Sequence, residues 1–284
     1  MKLNSRLLLT ALLGALLLGS ACVRHVRVPE LLPVQAQEVS VPELVDRINS
    51  YDRVKTISAQ VLVDVTDYFT GQAETARKPP EGNGALRLQR PEKIRMLITA
   101  PIVNTNVADM ASDGDEFAVA LFYPSDKRAF VHGKKPNKIK RMDAEDLKEA
   151  KDPRVRAAGG LANIRPQHIT DAFLIEPITD GAEYFREVDV ETEPDTRPGR
   201  TGHFVKRTYY VIYILELEQN GIRYPSRKFW FDRTQPGTPL VRQQVFEDGT
   251  GIVASDIRYS DLFIPPDAPN ITLPGVVTVS RPLD

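Results

Sequence analysis

The sequence predicts a mainly β protein of the α+β type, in which antiparallel strands are accompanied by an N-terminal helix and a helical insertion. Three observations predict this class: many short stretches alternate apolar and polar residues, turn residues separate them, and helical periodicity is confined to a few places. Consecutive short strands with tight turns indicate an antiparallel meander, because parallel strands need long crossover connections. We expect one domain at residues 41–284, preceded by a secretion signal and a tether.

The first 21 residues have the organisation of a secretion signal. Lys2 and Arg6 precede an apolar run at residues 7–18, which the small residues 19–21 follow. This order of basic, apolar and small residues is typical of a signal peptide. The apolar run is shorter than the roughly 20 residues that a transmembrane helix needs. We therefore expect residues 1–21 to be removed.

The only cysteine of the chain, Cys22, comes directly after these small residues. Its position resembles the lipobox of bacterial lipoproteins, which implies a thiol lipidated with acyl chains such as palmitate. An ordinary cleaved signal with a chance cysteine is the alternative. Val23 is not the aspartate that retains many lipoproteins at the inner membrane, so the resemblance implies the periplasmic face of the outer membrane. Each buried methylene of such an anchor contributes roughly 0.8 kcal/mol.

The segment after the cysteine leads into the first predicted helix and strand. Residues 22–40 have no sustained period, which predicts a tether; packing on the domain is the alternative. Ser40 and Glu43 have the spacing of a capping box. The helix is predicted by apolar residues at helical spacing, namely Leu44, Val45 and Ile48. From residue 57 to residue 65 the period changes to two, which indicates a strand with one apolar face.

Five further strands are predicted before the insertion, from apolar residues between turn residues. They are GALRLQR, KIRMLITA, NVADMA, FAVALFY and RAFVHG. Most are separated by Gly, Pro or Asp-Gly signals, which favour tight turns. A charged insertion follows at residues 134–160, and short helices are predicted at residues 143–151 and 166–174.

Strands resume after the insertion, at EYFREVDVE, HFVKRTYYVIYILELEQ, SRKFWFDR, PLVRQQVFE and GIVASDIRYSDLF. Asn220-Gly221 and Asp248-Gly249 predict hairpin turns. Residues 209–215 are apolar on both faces of their strand, which predicts burial in an ordinary core; the wall of a lipid cavity is the alternative. A proline-rich tail from Pro265 closes the chain.

The order of these elements resembles the LolA/LolB family of periplasmic lipoprotein carriers. The resemblance depends on LRLQRPEKIRM across the second and third strands, a short loop that begins at Pro101, the SDG turn and the aromatic strand that ends FYP. It covers roughly residues 41–135, and later only the strand pattern and an LPG tail. It implies an incomplete antiparallel barrel, or strongly curved sheet, covered by a few short helices, with the acyl chains of a cargo lipoprotein in the apolar space between.

The resemblance also implies functional positions in this chain. Seven apolar residues at inward strand positions are expected to line the acyl-chain cavity: Val61, Val63, Leu86, Leu88, Ile94, Met96 and Phe117. The family's arginine at the position of Arg90 bonds backbone carbonyls of the covering helix, and a guanidinium has five donors for such contacts. A solvated edge arginine is the alternative. Ile102 and Val103 correspond to an apolar loop that enters the membrane in LolB-type acceptors; the alternative is that they tuck into the barrel mouth.

Patterns for catalysis or metal binding are weak. The four histidines lie in dissimilar contexts without an HExxH motif, and no serine stands in a G-x-S-x-G elbow. GTGIVA at residues 249–254 lies between two predicted strands and indicates a hairpin turn, not a dinucleotide site. A single cysteine permits neither a disulfide nor a thiolate zinc site. We therefore expect no enzyme, no metal and no cofactor.

Composition limits the remaining function classes. The formal net charge of −1 argues against a nucleic-acid binder, and the hydrophobic fraction of 42% supports a real core. A basic run predicts a solvated loop, with contact to anionic headgroups as the alternative. That run is Lys134, Lys135, Lys138, Lys140 and Arg141.

The sequence therefore predicts an outer-membrane-anchored lipoprotein that binds acyl chains and takes part in lipoprotein localisation or insertion. Its expected partners are the acyl chains of lipoproteins or other lipid, the outer membrane through Cys22, and a soluble LolA-type carrier. An envelope scaffold or sensor, in which the concave sheet binds a protein partner, is the alternative function.

Overall fold

The computed structural model describes residues 28–35, 38–64, 82–100, 105–122, 128–134, 165–179, 181–217, 221–247 and 250–281. In chain order the strands are β1 (Glu30–Leu31), β2 (Thr56–Val63), β3 (Gly82–Gln89), β4 (Lys93–Thr99), β5 (Asn106–Ser112), β6 (Glu116–Leu121), β7 (Ala129–Lys134), β8 (Glu183–Pro194), β9 (Phe204–Leu217), β10 (Arg223–Asp232), β11 (Leu240–Phe246), β12 (Val253–Phe263) and β13 (Leu273–Ser280). The helices are α1 (Val41–Ser50) and α2 (Pro166–Phe173), and a 3₁₀ turn covers Tyr51–Arg53.

The strands form two sheets. The first sheet has six strands in the order β2-β3-β4-β5-β6-β7, and each strand is antiparallel to the next along the chain. The second sheet has seven strands, of which β8 to β13 form an antiparallel meander. The sequence predicted one sheet; the chain between β7 and β8, which contains α2, separates the two meanders.

β1 joins the second sheet as a parallel neighbour of β9, with Glu30 beside Val205. Since β8 pairs along the whole opposite edge of β9, β1 occupies the edge that β10 leaves beyond Asp232. The amide of Leu32 donates to the carbonyl of Lys206 at 3.0 Å, and that of Gln35 to Arg233 at 2.7 Å. Residues 28–35 therefore pack on the domain, although the sequence pattern favoured a tether there.

Both sheets are strongly curved, and neither closes into a barrel. β-bulges contribute to this shape, because an extra residue on one strand bends it and increases its twist. Register shifts occur between Ile98 and Thr99 in the first sheet, and after Pro225 in the second. Pro225 is tolerated inside a strand because it lies at the bulge. The predicted class, mainly β with curved antiparallel sheets and few helices, is confirmed.

α1 forms where the sequence predicted it and packs on the second sheet. The side-chain oxygen of Ser40 accepts a hydrogen bond from the Glu43 amide at 3.3 Å. The carboxylate of Glu43, however, pairs with Arg47 at 2.7 Å, and the serine half of the predicted capping box is the half that forms. The apolar face of the helix is buried against β9, β10 and β12, through Leu44, Val45 and Ile48.

α2 lies between the two sheets. Leu174, directly after the helix, belongs to the core of the first sheet, whereas Ala172 and Ile175 belong to the core of the second. Phe173 packs against both cores. This helix confirms the prediction for residues 166–174; the helix predicted at 143–151 lies outside the described residues. Among the residues described, no helix has the length and apolar character to cross a membrane.

The last strand, β13, was missed by the sequence analysis, which treated the region after Pro265 as a tail. β13 pairs with β12 from Phe263 beside Leu273 to Asp256 beside Ser280. The close approach of β13 to β12 requires glycine at position 275, because a Cβ there would lie 2.7 Å from the carbonyl oxygen of Asp261. The Leu-Pro-Gly motif is thus part of an edge strand.

Candidate functional site

The seven apolar residues predicted to line the interior share one face of the first sheet. Residues that pair directly across antiparallel strands point to the same face. The pairs that place them there are Val63–Gly82, Val61–Gly84, Leu86–Met96, Leu88–Ile94, Ile94–Ser112 and Ser112–Phe117. We call this surface the apolar face of the first sheet.

Burial divides this face into a centre and two flanks. At the centre, on β3 and β4, the side chains are almost completely buried: Leu86, Leu88, Ile94 and Met96. On the flanking strands β2 and β6, Leu121 at the end of β6 is buried, but four apolar side chains are only partly buried: Val61, Val63, Phe117 and Val119. The centre is thus a packed core, and the flanks retain accessible apolar surface.

α2 explains this division, because it lies over the centre of the face. Ile169, Phe173 and Leu174 pack against the central side chains. Six strands spaced about 4.8 Å apart are roughly 24 Å wide, whereas a helix with its side chains is about 10–12 Å across. Of the two described helices, α2 is the one that packs on this face, and a helix of that width covers about half of it. Beside it, the apolar side chains on β2 and β6 are partly buried.

Phe117 marks one border of the face. Its ring lies over the backbone of Gly133 on β7, where a Cβ would come within 2.5 Å of the ring. The Phe117 ring thus lies toward the edge strand β7. The absence of a side chain at Gly133 makes room for this position.

Arg90 connects the first sheet to the segment after α2. Its guanidinium donates to the carbonyl oxygens of Ile175 (2.8 Å), Val54 (2.9 Å), Tyr51 (3.0 Å) and Leu174 (3.3 Å). Four acceptors on two separate segments suit the five donors of a planar guanidinium. Arg90 follows β3 directly, and its peptide bond to Pro91 is cis. The side chain thus bonds carbonyls at the end of a covering helix, and it is not a solvated edge arginine.

The second sheet and α1 bind the same segment. Arg227 on β10 donates to the carbonyl oxygens of Glu176 and Pro177, and the Asn49 side chain accepts from the Ile178 amide at 2.7 Å. The Tyr259 hydroxyl on β12 donates to the carbonyl of Ala172 at 2.9 Å. Residues 172–178 are therefore held from both sheets, and we call these contacts the clasp.

Burial affects the ionisation of two clasp residues. It lowers the pKa of Arg227, since a charged guanidinium loses hydration there, while Glu176 opposes that change. It raises the pKa of Tyr259 well above the usual value, so its hydroxyl remains a donor at neutral pH. Three clasp residues were not predicted from the sequence: Arg227, Tyr259 and Asn49. None stands in a motif, and each is far along the chain from the residue that it contacts, so only the folded structure brings them together.

Residues 209–215 on β9 contribute to two clusters, as their apolar pattern predicted. Tyr210, Ile212 and Ile214 belong to the core under α1, and Tyr209 and Val211 pack with Trp230 on the opposite, outward face. Ordinary burial on both faces is therefore confirmed for this stretch.

Charged residues cover the aromatic side chains of that outward face. The Arg242 guanidinium lies 4.5 Å from the Trp230 ring centre and binds Asp256 through two hydrogen bonds of 2.6 and 2.8 Å. Lys228 lies 4.5 Å from the ring centre of Tyr213. Burial raises the pKa of the neighbouring Glu191, although Arg242 opposes this. These contacts form a network that covers the aromatic side chains and stabilises the outward face of the second sheet.

Several predicted site residues lie outside the described part of the chain. They are Cys22, Ile102 and Val103, and of the basic run Lys135, Lys138, Lys140 and Arg141. Lys134 is described and pairs with Glu116 at 2.7 Å on the surface of β7. Within the described residues, no cluster of three or more side chains has the composition of a metal site.

No family model and no curated protein matches the chain. Two solved structures are similar to it. A LolA superfamily protein from Nitrosomonas europaea is 12% identical with a TM-score of 0.39, over 84% of this chain and 86% of that chain. An outer membrane lipoprotein-sorting domain from Vibrio parahaemolyticus is 8% identical with a TM-score of 0.36, over 84% of each chain.

Proposed function

We propose that the protein is a lipid-anchored lipoprotein of the outer membrane, on its periplasmic face, which binds acyl chains beside α2 and takes part in lipoprotein localisation or insertion. The observation that carries the proposal is the apolar face of the first sheet, on which the described residues place α2 over the centre and partly buried apolar side chains on the flanks. Its buried centre supports α2, and its flanks present Val61 and Val63 on one side and Phe117 and Val119 on the other.

An acyl chain fits such a flank on chemical grounds. It offers no hydrogen bonds, so its binding depends on burying methylenes against apolar side chains, at about 0.8 kcal/mol for each CH₂. Val61 and Val63 provide aliphatic contact on one flank, and Phe117 and Val119 provide aromatic and aliphatic contact on the other. The clasp keeps the C-terminal end of α2 in place, so a chain that enters a flank meets a fixed wall. This binding needs neither a cofactor nor a catalytic group, and the protein would act without catalysis.

The anchor in this proposal is Cys22, at the end of a signal of the lipoprotein type. An anchored acceptor can receive cargo from a soluble carrier of the LolA type at the membrane surface. Replacement of Cys22 by Ser tests the anchor. We expect a species that no longer fractionates with membranes, and whose intact mass lacks the acyl chains of the wild type. A membrane fraction and mass that do not change would refute lipidation.

Acyl binding is tested by extracting lipid from the purified protein and measuring it by mass spectrometry. Val61→Thr combined with Val119→Thr keeps the side-chain size but adds a hydroxyl to each flank, and we expect the retained lipid to fall several-fold. Leu62→Thr is the matched control, because Leu62 is 66% exposed and points to the opposite face of β2.

Urea denaturation of each variant separates lost binding from lost stability. Equal lipid in all variants would exclude the flanks as the binding site. Wild-type protein without bound lipid would favour the scaffold or sensor function, in which the curved sheet contacts a protein.

A further inference from the structure

The chain enters the folded domain at one end of the second sheet. β1 runs parallel to β9 with Glu30 beside Val205, so Val28 extends beyond the first residue of β9. The turn at residues 195–203, between β8 and β9, lies at the same end. Cys22 precedes Val28 by six residues, which span at most about 21 Å when fully extended. An anchor at Cys22 therefore keeps this end of the sheet close to the membrane.

Several exposed apolar side chains lie at or near this end of the second sheet. Leu31 is 64% exposed and Phe204 is 51% exposed. Leu31 pairs with Lys206 and Val190 pairs with Thr208, so these side chains and Phe204 point to one face of the sheet. Val188, two residues before Val190 on the same face, is also about half exposed. We call Leu31, Val188, Val190 and Phe204 the apolar strip.

The apolar strip continues the face that forms the core further along β9. Tyr210 and Ile212 on that face are buried in the core that includes α1, whereas Val188, which pairs with Tyr210, and Val190, which pairs with Thr208, are about half exposed. Lys206 and Thr192 lie on the same face between Leu31 and Val190, so the strip combines exposed apolar side chains with polar ones. Exposed apolar side chains that share one face are candidates for contact with a partner or a membrane.

The charges around the strip suit a phospholipid surface. Arg197 binds Asp195 and Glu30, each at 2.7 Å, so the two carboxylates nearest the turn are paired. Lys206, within the strip, and Arg200, in the turn, are exposed to solvent. Basic residues beside apolar ones are typical of proteins that lie in the headgroup region of a membrane.

We propose that the apolar strip and the turn at residues 195–203 lie against the phospholipid surface to which Cys22 anchors the protein. Leu31 and Phe204 enter the boundary between headgroups and acyl chains, while Arg200 and Lys206 face anionic headgroups. The inference rests on the proposed anchoring. Its consequence is that the domain has a defined orientation on the membrane and does not swing freely on a tether.

The test measures membrane contact at single positions in the full, lipidated protein. Phe204→Cys, labelled with an environment-sensitive fluorophore, is compared with Ile222→Cys, because both native side chains are 51% exposed and Ile222 lies beside the far end of β9. The proteins are reconstituted into vesicles of phosphatidylethanolamine and phosphatidylglycerol, with and without a spin-labelled phospholipid. We expect a blue-shifted emission and several-fold stronger quenching at position 204 than at position 222.

Flotation and a second labelled position make each outcome decisive. Protein that floats with the vesicles but shows equal, weak quenching at both positions overturns this inference and leaves the anchoring intact, whereas protein that does not float overturns both. A blue shift at position 204 that is present without vesicles and unchanged by them means that protein, not lipid, covers the strip. If Phe204→Cys fails to fold, Arg200→Cys in the exposed turn provides the same comparison.

Discussion

The Tyr259 hydroxyl donates a hydrogen bond to the backbone carbonyl oxygen of Ala172, 2.9 Å away, and so joins β12 to the last turn of α2. Both groups are buried, and the side-chain oxygen of Gln243 lies 3.2 Å from the same hydroxyl. On the side of the first sheet, Arg90 donates hydrogen bonds to the carbonyls of Leu174 and Ile175, directly after α2. The end of α2 is therefore a common attachment point for two sheets that share no strand.

Tyr259→Phe tests the contribution of this contact to stability. The substitution leaves the Ala172 carbonyl and the Gln243 side chain without the hydroxyl in a buried setting, which costs about 1–3 kcal/mol. We expect the free energy of unfolding, measured in urea, to fall by that amount. Tyr184→Phe is the control, since Tyr184 is exposed, and should have little effect. Identical midpoints for the two variants would contradict this role.

Arg90→Lys tests whether the guanidinium geometry matters at the other side of the clasp. A lysine keeps the charge but cannot reach carbonyls on two segments with a planar group. Loss of hydrogen bonds from a charged donor predicts a decrease of about 2–3 kcal/mol in the free energy of unfolding. Arg87→Lys, at an exposed position of β3, is the matched control. Equal stability of both variants would show that charge alone suffices.

Acid should weaken the ion pair between Asp195 and Arg197, which lies within the β8–β9 turn. Hydrogen bonds from Arg197 lower the pKa of Asp195 to about 2, below the value of about 3.9 in an unfolded chain. Because the folded-state pKa is lowered, the stabilisation is present above the unfolded pKa and is lost as the pH falls through about 2.

The difference in unfolding free energy between wild type and Asp195→Asn should therefore be constant above about pH 5 and shrink below about pH 4. In an Arg197→Gln background the same substitution should lose this pH-dependent effect, because the partner is gone. A difference that keeps its size down to about pH 2 would assign the effect to another contact.

The loop at Ile102 and Val103 is predicted to enter the membrane during lipoprotein insertion; it lies outside the described residues. Burial of each side chain in a bilayer contributes roughly 1.5–3 kcal/mol. We expect Ile102→Glu with Val103→Glu to abolish transfer of a lipoprotein into liposomes while leaving the urea midpoint unchanged. Unchanged transfer, or a variant that unfolds, would exclude this role.

The local elements could be predicted from the sequence, because each depends on neighbours in the chain. Alternation at residues 57–63 produces β2, and Leu44, Val45 and Ile48 at helical spacing after Ser40 produce α1. The inward positions of β3 and β4 follow from the same period of two, which placed Leu86 and Met96 on one face before their pairing was known. A side chain's face within a strand is a local property, so it can be predicted without the fold.

The tertiary structure alone decided how these elements combine. β1 is too short and too irregular in pattern to predict, and it exists because β10 ends at Asp232 and leaves part of the β9 edge for it. Likewise, β13 forms because Gly275 permits a close approach to Asp261. The clasp on residues 172–178 joins groups 50 or more positions apart, including Arg90 and Tyr259. Such contacts carry no periodic signal, because they arise only after both sheets have folded around α2 and must satisfy its buried carbonyls.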